Sequence, residues 1–356
     1  MPVVVFPSPV GFLSLLLAVC VAASGCATLD EKRKESPYFS EDRFRNIDND
    51  EGITDKGFWS LVRWKLFSRR EAEVIPDAAD ESPATKKITA ADLIAPPGKM
   101  RITWIGHATA FISVHRDGRV TNILTDPVFG GIFTVSRRTE MPLPKEALPP
   151  VDLVVVSHSH YDHCDLDDLR FLNEKNPQLK IVLPEGQREW GLKNGLRGAE
   201  DMRWWTKQNV GGVELHFLPA QHWSLRVPGD RMQFHWGSYA FVAGKTAVYF
   251  AGDTGYASHF RRIAEKFPQG FTAALMPIGA YAPRWFMKPT HIDPPEAVAA
   301  ALELKAKIIL PVHWATFRQS DEKMMEPILY LQREAAAKGI RYRHWVPGES
   351  YEIDIR

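Results

Sequence analysis

The sequence predicts an α/β domain from about residue 99 onward, and three observations carry that prediction. After Met100 short apolar β-type runs come first, and helical patterns interleave with them later. The run Val151-Asp-Leu-Val-Val-Val-Ser passes directly into His158-Ser-His-Tyr-Asp-His163, which packs four metal-ligand side chains into six residues. Three later apolar runs also stop at a ligand-type residue, as expected where reactive groups gather beyond the carboxyl ends of strands.

In chain order, residues 1–25 read as an export signal. Phe12-Leu-Ser-Leu-Leu-Leu-Ala-Val-Cys-Val-Ala-Ala is an apolar core too short to span a bilayer comfortably, and it leads into Ala23-Ser24-Gly25-Cys26. Small residues before a Cys resemble a bacterial lipoprotein signal. By that resemblance Cys26 becomes a lipidated N-terminus that tethers the chain to a membrane surface of the cell envelope. Ala27 resembles the residue found in lipoproteins sent to an outer membrane, so the expected location is its periplasmic face.

Residues 26–98 are an expected N-terminal extension. The stretch 28–56 is charged and poor in apolar residues, like a flexible tether. In 57–70 aromatics alternate with Arg63, Lys65, Arg69 and Arg70, which suits a membrane interface or a helix docked through Phe58, Leu61, Val62 and Leu66. The helical spacing favours docking. Residues 71–98, rich in Ala, Asp and Pro, read as a second linker.

Within 99–356, strands are expected at 101–104, 109–114, 120–124 and 151–156, and helices at about 166–175, 257–267, 294–305 and 323–338. Pro327 near the start and Gly339 at the stop delimit the last helix. At period 2, His158 and His160 point the same way and reach one ion, while Asp162 and His163 are offset enough to serve a second. Two ions need further ligands. Val213-Glu-Leu-His-Phe-Leu leads to His222, Lys245-Thr-Ala-Val-Tyr-Phe to Asp253 and Ala306-Lys-Ile-Ile-Leu-Pro-Val to His313. The set of five His and two Asp suits two Zn²⁺ ions, and the same donors accept Fe or Mn. Cys164 reads as a small packed residue.

The chain has 356 residues, of which 45% are hydrophobic and 11% aromatic, enough for the core of one large catalytic domain. A net charge of +1 gives no field for nucleic acid.

Several landmarks together resemble the metallo-β-lactamase superfamily over about residues 101–348. They are Gly106-His107-Ala108-Thr109, Thr125-Asp126-Pro127, the hexapeptide, Gln221-His222-Trp223, Gly252-Asp253-Thr254-Gly255-Tyr256 and His313-Trp314. Gly279-Ala280-Tyr281, Pro283-Arg284-Trp285-Phe286-Met287 and His291 narrow the resemblance to the branch of N-acylphosphatidylethanolamine-hydrolysing phospholipase D. The resemblance implies a four-layer αββα sandwich with a metal site at one edge. It implies that His158, His160 and His222 hold one ion, that Asp162, His163 and His313 hold the other, and that Asp253 bridges them. Asp126 and His107 would stand behind the ligands and orient them, although an Asp before Pro127 also suits a turn.

The activity so implied is phosphodiester hydrolysis by a hydroxide held between the ions, with Asp162 and His291 as catalytic residues. His291 would hold phosphate oxygens and help the alcohol depart; alternatively it caps the helix opening near Pro294. Trp223, Tyr281, Trp285, Phe286 and Trp314, with His291, would line an apolar pocket for a phospholipid. Two rivals share the same residues. One is a metallo-lactonase or sugar-phosphate hydrolase, and the other is a non-catalytic lipid-tethered binding protein, against which the full ligand set argues.

Overall fold

The computed structural model describes residues 35–48, 50, 53, 58–67, 74–133 and 135–355. The expected signal segment, residues 1–25, and the expected lipidation site Cys26 lie outside these residues, and among the described residues no helix is long and apolar enough to cross a membrane. A hairpin of β1 (Phe39–Ser40) and β2 (Arg43–Phe44) and a helix α1 (Phe58–Val62) precede α2 (Ala90–Leu93). The first large sheet then contains β3 (Lys99–Gly106), β4 (Thr109–Arg116), β5 (Arg119–Thr125), β6 (Leu153–Val155), β7 (Lys180–Pro184) and β8 (Ala199–Met202). The second contains β9 (Lys207–Val210), β10 (Val213–Leu218), β11 (Ser238–Ala243), β12 (Thr246–Phe250), β13 (Ala273–Pro277) and β14 (Ile309–Val312). The chain returns to the first sheet with β15 (Ser350–Asp354), giving orders β15-β3-β4-β5-β6-β7-β8 and β14-β13-β12-β11-β10-β9.

Alternation along the strands of the first sheet sorts side chains into two cores. Ile102, Trp104, Ile112, Ile123, Leu153, Val155 and Val182 face the second sheet, where they meet Leu215, Phe217, Phe241 and Val248. Their neighbours Ile105, Phe111, Leu124, Val154, Ile181 and Leu183 face outward and pack on Leu169 and Leu172 of α3 (Leu166–Lys175). The second sheet is covered on its outer side as well, by α5 (His259–Lys266), α7 (Pro294–Glu303) and α8 (Glu326–Lys338), while α4 (Arg188–Lys193) and the short α6 (Arg284–Met287) precede α5 and α7 respectively in the chain. Helix, sheet, sheet, helix is the four-layer αββα sandwich that the family resemblance implies.

The expected helices begin and end for chemical reasons. Asp165 caps α3 by accepting from Asp168 N at 2.9 Å. Asp293 and Glu296 form a capping box around Pro294 at the start of α7. Gly339 closes α8 with φ +68°.

Three expectations for residues 26–98 need correction. Residues 35–48 are docked rather than tether-like: Phe44 is fully buried, its ring stacks on His235 at 4.5 Å, and Ser36 Oγ donates to the buried Glu185 at 2.9 Å. Burying Phe44 alone contributes about 2 to 3 kcal/mol, which offsets the polar composition around it. The second linker is likewise packed from residue 74, with Ala78, Leu93 and Ala95 buried. Just beyond α1, Leu66 does not face inward as expected. The backbone widens to π geometry over Arg63–Phe67, so the 3.6-residue spacing no longer holds there; Leu66 is 58% exposed, and Trp64 is buried against Ala280 and Met287.

Candidate metal centre

The hexapeptide leaves the end of β6 and folds into a tight turn, with the N–H groups of His163 and Cys164 both donating to His160 O. Arg226 pins both ends of this turn, its Nη1 donating to Ser159 O and Cys164 O at 2.7 Å each. The loops after β10, β12 and β14 bring His222, Asp253 and His313 to the same place.

All seven expected ligands converge. The ligand atoms of His158, His160 and His222 lie within 4.8 Å of one another, as do those of Asp162, His163 and His313 together with His107. His222 Nε2 stands 3.2 Å from His160 Nδ1, close to the edge of about 3.3 Å of a tetrahedron with metal–nitrogen bonds of about 2.0 Å. Asp253 faces both groups: Oδ1 is 3.0 Å from His313 Nε2, and Oδ2 is 3.2 Å from His163 Nε2 and 3.9 Å from His158 Nε2.

Hydrogen bonds assign three of the imidazoles. Ser157 Oγ gives its proton to Asp126 Oδ2 at 2.6 Å, so His158 Nδ1–H donates to Ser157 Oγ at 2.9 Å and Nε2 keeps its lone pair. His222 Nδ1–H donates to Thr290 O at 3.0 Å, and His163 Nδ1–H donates to Asp126 Oδ2 at 2.6 Å. Each bond turns Nε2 toward the cluster. Asp126 thus orients His163 directly and His158 through Ser157, and it also accepts Ser157 N at 2.7 Å. The geometry answers the turn alternative: Asp126 is fully buried with φ +36°, and His107 and His313 also have positive φ, at 51° and 61°. Backbone strain gathered at one place is a mark of a functional site.

The donor set fits a cation. His158 Nε2 is buried with no hydrogen-bond partner, a costly condition for a polar nitrogen unless something else binds it. Burial lowers His158 and His222 well below the ordinary imidazole value and His160 to about 4, so all three are neutral donors at pH 7. At the other group burial pushes His313 down, but Asp253 and Asp162 outweigh it and lift it to about 9. There positive charge is demanded by Asp126, Asp162 and Asp253, three carboxylates buried within one cluster.

His107 lies beside the ligands, with Nε2 3.1 Å from Asp162 Oδ2, and burial lowers it to about 3, so it donates as a neutral ring. Gln319 Nε2 donates to the same oxygen at 2.7 Å. The Cys164 side chain is fully buried in the outer core of the first sheet, where Gln187 Nε2 donates to its Sγ at 3.5 Å, and it belongs to none of the ligand groups.

A cavity of about 380 Å³ opens onto the cluster and is lined by Phe133, Tyr161, Trp223, Phe286, Met287 and His291 among others. His291 Nδ1 is 3.7 Å from Asp253 Oδ2. It does not cap α7, since Asp293 does. Three expected pocket residues are elsewhere. Tyr281 is 2% exposed and its OH donates to Glu326 at 2.6 Å; Trp314 is 2% exposed and stacks on Trp104 at 5.4 Å; Trp285 points outward at 45% exposure. A larger groove of about 900 Å³ lies by the β11–β12 turn, at the opposite end of β12 from Asp253, and among the described residues it gathers no ligand cluster. Phe133, Arg226 and Gln319 stand in no recognisable motif, so only their placement by loop packing reveals them, and Tyr161 is the one residue of the hexapeptide besides Ser159 that is not a candidate ligand.

Residues 121–314 match the family model of the β-lactamase superfamily domain. The chain belongs to the metallo-β-lactamase superfamily. It is 35% identical over 256 residues to a Saccharomyces cerevisiae protein named N-acyl-phosphatidylethanolamine-hydrolyzing phospholipase D, mitochondrial, covering 69% of this chain and 54% of that protein. It is 35% identical over 266 residues to the Caenorhabditis elegans protein named N-acyl-phosphatidylethanolamine-hydrolyzing phospholipase D 1, covering 70% of this chain and 73% of the other. The alignment therefore spans little more than half the yeast protein. Among solved structures, the Igni18 metallo hydrolase of Ignicoccus hospitalis superposes with a TM-score of 0.56 at 20% identity, over 72% of this chain and all of that one, which shows the shared fold. With family membership and a converged His/Asp cluster together, the chain is a metal-dependent hydrolase of this superfamily.

Proposed function

We propose that the protein is a phospholipase D-type phosphodiesterase acting on N-acylphosphatidylethanolamine or a closely related lipid. The observation that carries this reading is a cavity beside a two-lobed His/Asp cluster whose walls are mainly apolar, from Ile132, Phe133, Trp223, Leu225, Phe286 and Met287. Exposed Phe133 and Trp285, with Trp59 on α1 and Arg63 packed over Trp285, extend an apolar and basic surface from Phe286 outward, which suits a lipid aggregate. The names of the yeast and nematode relatives support the same substrate class.

His158, His160 and His222 would hold one ion and Asp162, His163 and His313 a second, with Asp253 between them. Bound there, two divalent ions supply nucleophilic water at neutral pH and offset negative charge developing on phosphorus. The chain's own residues do the rest. His291, on the cavity wall, holds a phosphate oxygen and delivers a proton to the oxygen of the departing N-acylethanolamine. His107 and Gln319 fix Asp162, so that its carboxylate cannot swing toward solvent. The apolar walls take the acyl chains and keep bulk water from the reacting bond.

Zinc-loaded protein in detergent micelles should convert N-acylphosphatidylethanolamine to equal amounts of N-acylethanolamine and phosphatidic acid, read by lipid mass spectrometry, and His160→Ala should lose at least a hundredfold in rate. Wild-type protein that turns over a soluble bis-aryl phosphodiester yet leaves the lipid intact would overturn the substrate assignment.

A further inference from the structure

The loop that carries His222 is gripped by a side chain from outside the segment that matches the family model. Asn46 follows β2 and is 7% exposed. Its Oδ1 accepts the His222 N–H at 3.0 Å and its Nδ2 donates to His222 O at 2.9 Å, so one amide holds both main-chain groups of a candidate ligand. The amide cannot turn over. Oδ1 also accepts Trp236 Nε1 at 2.9 Å, and Nδ2 also donates to Asp50 Oδ1 at 2.9 Å. Two donors meet the oxygen and two acceptors meet the NH₂ group, which satisfies all the hydrogen-bonding capacity of the amide.

We propose that Asn46, carried on the docked segment 35–48, is a positioning residue for the metal centre. The inference rests on the metal-binding reading of the previous subsection. It follows from how His222 is held. Its ring is fixed at Nδ1 by Thr290 O and its main chain by Asn46, so Nε2 is aimed from two sides at His160 Nδ1. The segment also reaches the loop after Asp253. Asp48 accepts Ser258 N at 3.0 Å and Ser258 Oγ at 2.6 Å, just before α5. One segment thus ties together the loops that deliver two of the seven candidate ligands.

Asn46→Asp is the sharpest test, because it keeps the shape but sets a carboxylate oxygen against His222 O and the Asp50 carboxylate. Asn46→Ala removes both clamps without adding charge, and serves if the Asp variant does not accumulate. Ser36→Ala loosens the same segment at its far end, on Glu185, and is the control for docking alone. On the full chain, metal retention is measured against graded chelator, the Co²⁺-loaded protein is followed by its visible spectrum, and the metal-free protein is melted. We expect the Asn46 variants to lose about 10- to 100-fold in affinity for one equivalent of metal and to change the Co²⁺ spectrum. Ser36→Ala should lower only the melting temperature of the metal-free form. Asn46 variants that are folded and hold both equivalents as tightly as wild type, with an unchanged spectrum, would overturn the proposal. So would a loss of metal no greater than that of Ser36→Ala. Wild-type protein that binds no transition metal would instead overturn the metal-binding reading, and the proposal with it.

Discussion

At the scale of single residues, the centre is organised by what stands behind the ligands as much as by the ligands. Asp126 accepts from His163 Nδ1 and from Ser157, and Ser157 in turn fixes His158, so one buried carboxylate sets two imidazoles in opposite lobes of the cluster. Asp126→Asn keeps the size but replaces an oxygen acceptor by a donor or leaves the charge uncompensated. Metal affinity should fall about 10- to 100-fold, measured by chelator competition, while the fold is kept. Wild-type affinity in that variant would show that the orientation of His163 does not depend on the charge. The hexapeptide was legible in the sequence because four ligand-type residues among six have few other uses. The direction of a nearby aromatic was not: Trp314 follows His313 immediately, yet its indole stacks with Trp104 while its Nε1 donates to Pro311 O. Position in the chain fixes neighbourhood, and packing fixes orientation.

At the scale of elements, strands and capped helices were legible because their signals are local. Helix α3 occupies 166–175 as its Asp165 cap implies, and side-chain parity separates the two cores of the first sheet. The segment 35–48 was not legible, since Phe44 and Asn46 sit among charged neighbours and their partners are far away in sequence. Close approach of elements gives one prediction. A Cβ at Gly279, after β13, would lie 2.2 Å from His313 O. Gly279→Ala must therefore push the β14 loop aside, costing about 1 to 3 kcal/mol in urea unfolding and weakening metal retention with it. A second concerns α5. His259 is 1% exposed and burial lowers it to about 3, against an ordinary value near 6.5. The unfolded chain takes up this proton first, so the associated stability is complete above about pH 6.5 and is lost as pH falls toward 3. In metal-free protein, His259→Gln should flatten the fall in urea stability as pH drops from about 6.5 to about 4.5. An unchanged slope would mean that His259 is not the group taking up the proton.

At the scale of the whole molecule, two sheets packed face to face leave one edge at which loops from both converge. Candidate ligands come from the first sheet through the hexapeptide after β6, and from the second through the loops after β10, β12 and β14. Neither sheet holds a complete centre, so metal binding reports on correct assembly of the sandwich as well as on local chemistry. Metal analysis of the purified chain tests this most directly, by mass spectrometry of transition metals per protein, beside His222→Ala and His313→Ala. The account predicts about two equivalents in the wild type, with each variant losing at least one and melting at lower temperature. A well-folded wild-type chain that holds no transition metal after incubation with zinc would contradict it.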